Sequence, residues 1–225
     1  MPERIAIPLN AAGLEIETES MRIIDVEVAT PRPFAGPEWT VVRRMIHASA
    51  DFELLELVRF HPSAVTAGLE ALVRGCPVVT DTRMALAGLS SRLYVPLGCS
   101  LHCLIDDPRT LDQARASGST RAAAAVDVAA REYGDAVWLV GNAPTALLRL
   151  LELADAGSVE PALVVGMPVG FVQAEESKQA LLEHARIPSI LIRGRKGGSA
   201  LAAAALNGLA GLALQAKPGS DPEVH

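Results

Sequence analysis

His47 is the side chain of this sequence best suited to pass a proton near neutral pH, since imidazole both gives and takes one there. It stands in RRMIHA, with Arg44 three residues before it and Asp51 four after. On a helix these spacings bring all three side chains to one face. The pattern permits general acid or base catalysis beside an anion, and equally a structural or solvated histidine; spacing alone leaves both open.

A second group is RGRKGGS at residues 193–199, which follows a β-branched run and precedes a long apolar stretch. Backbone N–H groups at a strand-to-helix corner favour an anion. The segment lacks nucleotide P-loop spacing, and no strand is followed by the G-x-G-x-x-G fingerprint of a dinucleotide site. It is read as a carboxylate-binding corner carrying Arg195, Lys196 and Ser199; the alternative is that Gly197 and Gly198 serve only close backbone packing. Asp81, Thr82 and Arg83, then Asn142 and Thr145, then Met167 follow three other apolar runs. There is no G-x-S-x-G nucleophile and no H-E-x-x-H metal motif. Cys99, His102 and Cys103 are conceivable metal ligands, but LHCLI reads as a strand on which His102 faces away from the two cysteines. Neither a metal nor a cofactor is expected.

Elements must hold these groups together. From its middle onward the chain repeats a short β-branched run, a glycine-containing turn and a helix-length stretch: AVWLVGNAPTALLRLLELADAG, PALVVGMPVGFVQAEESKQALLEHA and PSILIRGRKGGSALAAAALNGLAGLAL. Such alternation predicts an α/β fold, a doubly wound, mostly parallel sheet with helices on both faces. Ligands of these sheets gather outside the carboxyl ends of the strands, so the loops holding Asp81, Asn142, Met167 and Arg195 should line one crevice. Upstream, Val41, Val42, Met45, Ile46, Phe52, Leu55 and Leu57 have helical spacing and predict one long helix from Pro37 to Phe60. A second helix should run from Ser63 as N-cap to Arg74, with Gly75 after it, and CPVVTD should be a strand with Asp81 at its carboxyl end. A single domain over residues 1–213 and a disordered tail over 214–225 are expected.

The formal charge of −6 argues against a nucleic-acid surface, though a local basic pocket is compatible with it. No apolar run approaches the roughly 18 residues of a membrane span, the start MPERIAIPLN has no signal-peptide core, and a cytoplasmic protein is expected. The three cysteines are expected to stay reduced.

Six strings stand in order: RMIHA (44–48), GCPVVTDTRMALAGLS (75–90), DPRT (107–110), GNAPTALLRLLEL (141–153), GMPVGFVQAEESK (166–178) and GRKGGSALAAAALN (194–207). Together they resemble the precorrin-8X methylmutase family from about Ser20 to Asn207. The resemblance implies a Rossmann-like α/β/α fold and a homodimer with active sites near its interface. It also implies a tetrapyrrole substrate, precorrin-8X or cobalt-precorrin-8, and migration of a methyl group from ring carbon 11 to carbon 12, giving hydrogenobyrinic or cobyrinic acid. His47 matches the family's catalytic histidine; Arg44, Ser20 and Arg121 match positions used around the substrate. Glu19 stands where members often have Arg, and Ser49-Ala50 where they often have Cys-Gly; Glu19 would repel a substrate carboxylate. The competing functions are a non-catalytic corrinoid-binding paralogue, which needs no proton donor, and a nucleotide-binding regulator, which fits the fold without its phosphate fingerprint.

Overall fold

Six short runs rich in Val, Leu and Ile pair into one sheet in the computed structural model, which describes residues 11–217. In chain order they are β1 (Val58–Phe60), β2 (Val78–Thr80), β3 (Leu101–His102), β4 (Val137–Val140), β5 (Leu163–Gly166) and β6 (Ser189–Ile192). Their spatial order is β1-β6-β5-β4-β2-β3, parallel except for β1, which runs antiparallel along β6. Every residue of β2, β4, β5 and β6 is buried, as strands covered on both faces must be. Period-two alternation sends Val137 and Leu139 into one apolar layer and Trp138 and Val140 into the other. This is the doubly wound, mostly parallel α/β architecture expected from the sequence.

One helical layer contains α2 (Gly36–Ser49), α4 (Ala64–Val73), α5 (Arg83–Gly88), α6 (Ser91–Leu97) and α11 (Ser199–Ala216). The opposite layer contains α8 (Arg121–Ala130), α9 (Pro144–Asp155) and α10 (Ala174–Glu183), with α7 (Pro108–Ser117) against α8. The remaining helices are α1 (Ala11–Glu27), which lies along α2, and the single turn α3 (Leu54–Leu57), which leads into β1. Contrary to expectation, one helix is long and apolar enough to cross a bilayer: α11 carries no charged residue over 18 positions. Its apolarity is accounted for by its neighbours α2, α4, α5 and α6 and by strands β4 and β5. It runs antiparallel to α2, because Gly208 backs onto Thr40, Val41 and Arg44 while Lys196, just before α11, pairs with Asp51, just after α2.

The single helix expected from Pro37 to Phe60 is broken. Ala50 takes a left-handed conformation (φ 53°) and closes its N–H on the Ile46 carbonyl, and Asp51 Oδ1 accepts the Glu53 N–H at 3.0 Å. Phe52, Leu55 and Leu57 still pack against the core from the loop and α3, which is why their spacing imitates a continuous helix. The strand expected at LHCLI ends after His102, whose Nε2 lies 2.9 Å from Ser100 Oγ; Cys99 precedes it and points its thiol at the Leu72 carbonyl. Helix α4 and strand β2 fall where expected, but Ser63 turns its hydroxyl to His61 instead of capping α4. Helix α11 continues to Ala216, three residues past the boundary expected at 213, and residues 218–225 of the expected tail lie outside the described residues.

Gly141, the first residue beyond β4, makes a close backbone junction with the start of α11: a Cβ there would stand 2.6 Å from Ser199 Cα. Gly141→Ala must push the β4–α9 corner and α11 apart, at an expected cost of about 1–3 kcal/mol. Urea denaturation measures this directly, and an unchanged midpoint would show that the start of α11 yields freely.

Candidate active site

Strand β2 leads to α5 in one layer and neighbouring β4 leads to α9 in the other, so the chain diverges above the β2–β4 pair. Divergence of this kind opens a crevice at the carboxyl edge. Asp81, the first residue beyond β2, is only 7% exposed, and its carboxylate accepts the N–H groups of Gly141 (3.0 Å), Asn142 (2.7 Å) and Ala143 (2.8 Å). It pins the β4–α9 corner, just ahead of α9, from inside the protein. That corrects the expectation of Asp81 as a substrate contact: both oxygens are already engaged. Burial pushes its carboxyl above the ordinary aspartate value, against the pull of the three N–H donors. The same carboxylate fills the place where a diverging sheet would hold a phosphate, so a nucleotide has no open anion site there.

Around it, Thr82 Oγ1 accepts the Ala85 N–H at 3.1 Å and lies 3.0 Å from Ser199 Oγ, joining α5 to the start of α11. Gly198 (φ 123°) begins α11 without a side-chain cap and donates its N–H to the Met167 carbonyl at 2.9 Å; a side chain at Gly197 would collide with that carbonyl. Close packing is therefore a role of this corner, and the α11 N-terminus has no acidic residue in its first turn. Lys196 is not free for a ligand carboxylate, as it pairs with Asp51 at 2.7 Å and with Glu53. Arg195 is exposed, its guanidinium 5.5 Å from the Phe171 ring centre. Asn142 gives its N–H to Asp81 and exposes its side chain, while Thr145 shares a 2.8 Å hydrogen bond with Thr120 at the start of α8.

His47 lies half-buried in the last turn of α2, between the Gly208 crossing and the Asp51–Lys196 pair. One turn earlier, Arg44 is paired with Glu17 of α1. Ser20, three residues further along α1, donates its hydroxyl to the Ile16 carbonyl at 2.8 Å. Helix α1 is docked on α2 by Asp25, which accepts from Trp39 Nε1 (2.8 Å) and Arg43 (2.5 Å). Glu19, the residue expected to repel a substrate carboxylate, is answered by Arg22 at 2.6 Å on the exposed side of α1. Arg121 opens α8 on the far layer, 3.5 Å from Asp106. The structure thus groups Ser20, Arg44 and His47 on α1 and α2, and Thr82 and Ser199 on α5 and α11. Arg121 stands across the sheet edge. Sequence reasoning missed Glu17 and Asp106; only the N-cap threonines Thr82 and Thr120, each just ahead of an arginine, offered a local signal. Cavities of about 540 and 460 Å³ lie beside Phe34 and Phe60 and beneath Thr120 and Thr145, and neither includes His47.

Residues 15–212 match the family described as precorrin-8X methylmutase. A cobalt-precorrin-8 methylmutase of Leptospira interrogans is 43% identical over 92% of this chain and 96% of its own length. One from Salmonella typhimurium is 44% identical over 86% and 92%. The crystal structure of the precorrin-8X methyl mutase of Thermus thermophilus superposes with a TM-score of 0.84 at 47% identity, covering 93% of this chain and all of that one. This chain belongs to the precorrin-8X methylmutase family. It is accordingly an intramolecular methyl-shifting isomerase of cobalamin biosynthesis.

Two buried groups of this methylmutase give opposite expectations. Asp81→Asn trades an acceptor oxygen for an amide facing N–H donors, and should lower stability by about 1–3 kcal/mol, the cost of an unsatisfied buried donor; denaturant titration decides, and a neutral result would mean that water replaces the lost bond. Lys178 in α10 is 1% exposed, donates to the Lys196 carbonyl, and burial lowers its ammonium to about 8, with Glu175 opposing. The unfolded chain keeps that proton to a higher pH, so stability should rise as pH climbs from about 8 towards lysine's ordinary value of 10.5. Lys178→Met should abolish that rise and be the more stable protein at neutral pH. If it is less stable, the bond to Lys196 outweighs the burial of the charge.

Proposed function

We propose that this chain moves a methyl group from carbon 11 to carbon 12 of precorrin-8X or its cobalt form, giving hydrogenobyrinic or cobyrinic acid, with His47 as the general acid. The observation that carries this is the state of the imidazole: half-buried, beside the crevice corner, and without a hydrogen bond among the described residues. A structural histidine spends its ring nitrogens on the protein, as His61 does on Ser63 and Ala185. His47 keeps both for a ligand.

An internal methyl shift calls for no external nucleophile and no redox partner, so the protein's part is to hold the macrocycle and alter its electron distribution. A proton from His47 to the conjugated ring does this. Because substrate and product are isomers, that proton returns within the turnover, and the imidazole serves as acid first and base second. Arg44 and Ser20 from one side and Arg121 from the other take the peripheral carboxylates, with Arg195, Thr82, Ser199 and Asn142 along the crevice.

A second copy of the chain completes the site. Ile16, Ile23 and Val26 form an exposed apolar face on α1, and Phe171 at the crevice rim is 83% exposed. Apolar surface of this kind marks an interface, and the homodimer is the arrangement that covers it beside both active sites. The assembly acts in the cytoplasm on a diffusing tetrapyrrole, without nucleic acid or membrane.

His47→Asn should cut turnover of precorrin-8X by about 10²- to 10⁴-fold, followed by the visible spectrum of the chromophore. Its affinity for hydrogenobyrinic acid should change by only about 1 kcal/mol, since one hydrogen bond among many is lost. Near wild-type turnover by a folded variant would sink the acid role, and failure of the wild type to convert either precorrin-8X or cobalt-precorrin-8 would leave a corrinoid-binding protein.

A further inference from the structure

Arg83, which follows Thr82 at the start of α5, has no role in the proposed reaction as set out above. Its Nε donates to Asp106 Oδ2 at 2.5 Å, and Arg121 Nη1 approaches Oδ1 of the same carboxylate at 3.5 Å. Two guanidinium groups thus share one carboxylate, leaving a surplus positive charge. The remaining N–H groups of Arg83 and those of Arg121 form no hydrogen bond among the described residues, and both side chains are exposed. Neither arginine floats. Thr82 caps α5 through the Ala85 N–H, Thr120 caps α8 through the Ala123 N–H, and each arginine is the next residue after its cap. Arg121 moreover sits at the positive end of the ten-residue α8, a position that repels cations unless an anion accompanies them. A single shared carboxylate meets that need for one arginine, not for two.

We propose that Arg83 is a second arginine of the substrate-carboxylate subsite, acting with Arg121. Asp106 is the internal counter-ion that holds the pair in register until an acetate or propionate of the macrocycle joins or replaces it. The inference rests on the tetrapyrrole reading, whose substrate carries several such carboxylates. It adds a recognition residue, Arg83, and gives Asp106 the role of a competitor for the substrate. The cluster also spans the two helical layers, since Arg83 belongs to the α11 side and Arg121 to the α9 side. A carboxylate bound there would lie over the sheet edge, where a broad ring must rest.

The test uses the full-length protein and titrates hydrogenobyrinic acid against wild type, Arg83→Gln and Asp106→Asn at low and high salt. Melting temperatures of both variants serve as the folding control; exposed ion pairs contribute little to stability, so these should hardly move. Arg83→Gln should raise Kd about ten-fold, and in turnover should raise KM with kcat nearly unchanged. Asp106→Asn should tighten binding by a few-fold, with the gain shrinking at high salt. Opposite signs from the two halves of one ion pair are the signature, because a merely structural pair would suffer alike from either loss. Unchanged binding by Arg83→Gln, or equal weakening by both variants, overturns the proposal while the methylmutase reading stands. Absence of binding by the wild type overturns the tetrapyrrole reading and this inference with it.

Discussion

The carboxylate of Asp81 is the fixed point of this molecule. It stands where β2 and β4 send their chains to opposite faces, the weakest place in a doubly wound sheet, because nothing in the backbone pairing closes it. Three N–H groups of the β4–α9 corner converge on it, and the backbone of that corner lies against Ser199 at the start of α11. Its neighbour Thr82 also bonds Ser199. Three strand-to-helix corners are thereby keyed to one buried anion, and a buried anion tolerates displacement poorly: each N–H that strays leaves part of a desolvated charge unanswered.

From that point contacts run around the carboxyl edge. The Thr120–Thr145 bond ties α8 to α9, Asp106 links Arg121 to Arg83, and Arg83 is bonded through the chain to Thr82 and Asp81. The circuit explains how groups on opposite faces of a sheet keep a fixed separation, which a rigid macrocycle requires of its carboxylate contacts. The α1–α2 pair carrying Ser20, Arg44 and His47 joins this frame from outside, through α11 and through Lys196 on Asp51.

Strands β2, β4, β5 and β6 were legible because continuous β-branched runs bounded by Gly and Pro have few alternatives. The break after α2 was not, because Ala50 in a left-handed conformation carries no sequence signal, and β1 was hidden by apolar residues whose spacing satisfies a helix equally well. Within the proposed site, residue type suggested His47, Arg44 and Ser199, and family resemblance suggested Ser20 and Arg121. What a polar residue faces was not disclosed. Asp81 looked like a ligand group because it ends a strand, yet a helix N-terminus attracts the chain's own carboxylate as readily as a substrate's. The pairs Arg44–Glu17 and Arg83–Asp106 join residues 27 and 23 positions apart, and no local pattern encodes them.

These internal pairs alter what the substrate contacts contribute. A chain of net charge −6 must receive a polyanion, and the basic groups around the crevice do not wait uncompensated: Glu17 holds Arg44, Asp106 holds Arg83 and Arg121, and Asp51 and Glu53 hold Lys196. On the proposed reading, a substrate carboxylate that joins or replaces Glu17 or Asp106 exchanges some hydrogen bonds for others, so part of what each contact contributes to affinity is offset. The gain in geometry is not, since each guanidinium is already oriented by its internal partner before the macrocycle arrives. Modest binding with strict orientation suits an isomerase. Tight uniform binding would stabilise substrate and transition state alike and leave the barrier untouched, whereas on the proposed mechanism a ring seated in one pose beside His47 would spend its binding on placing the proton.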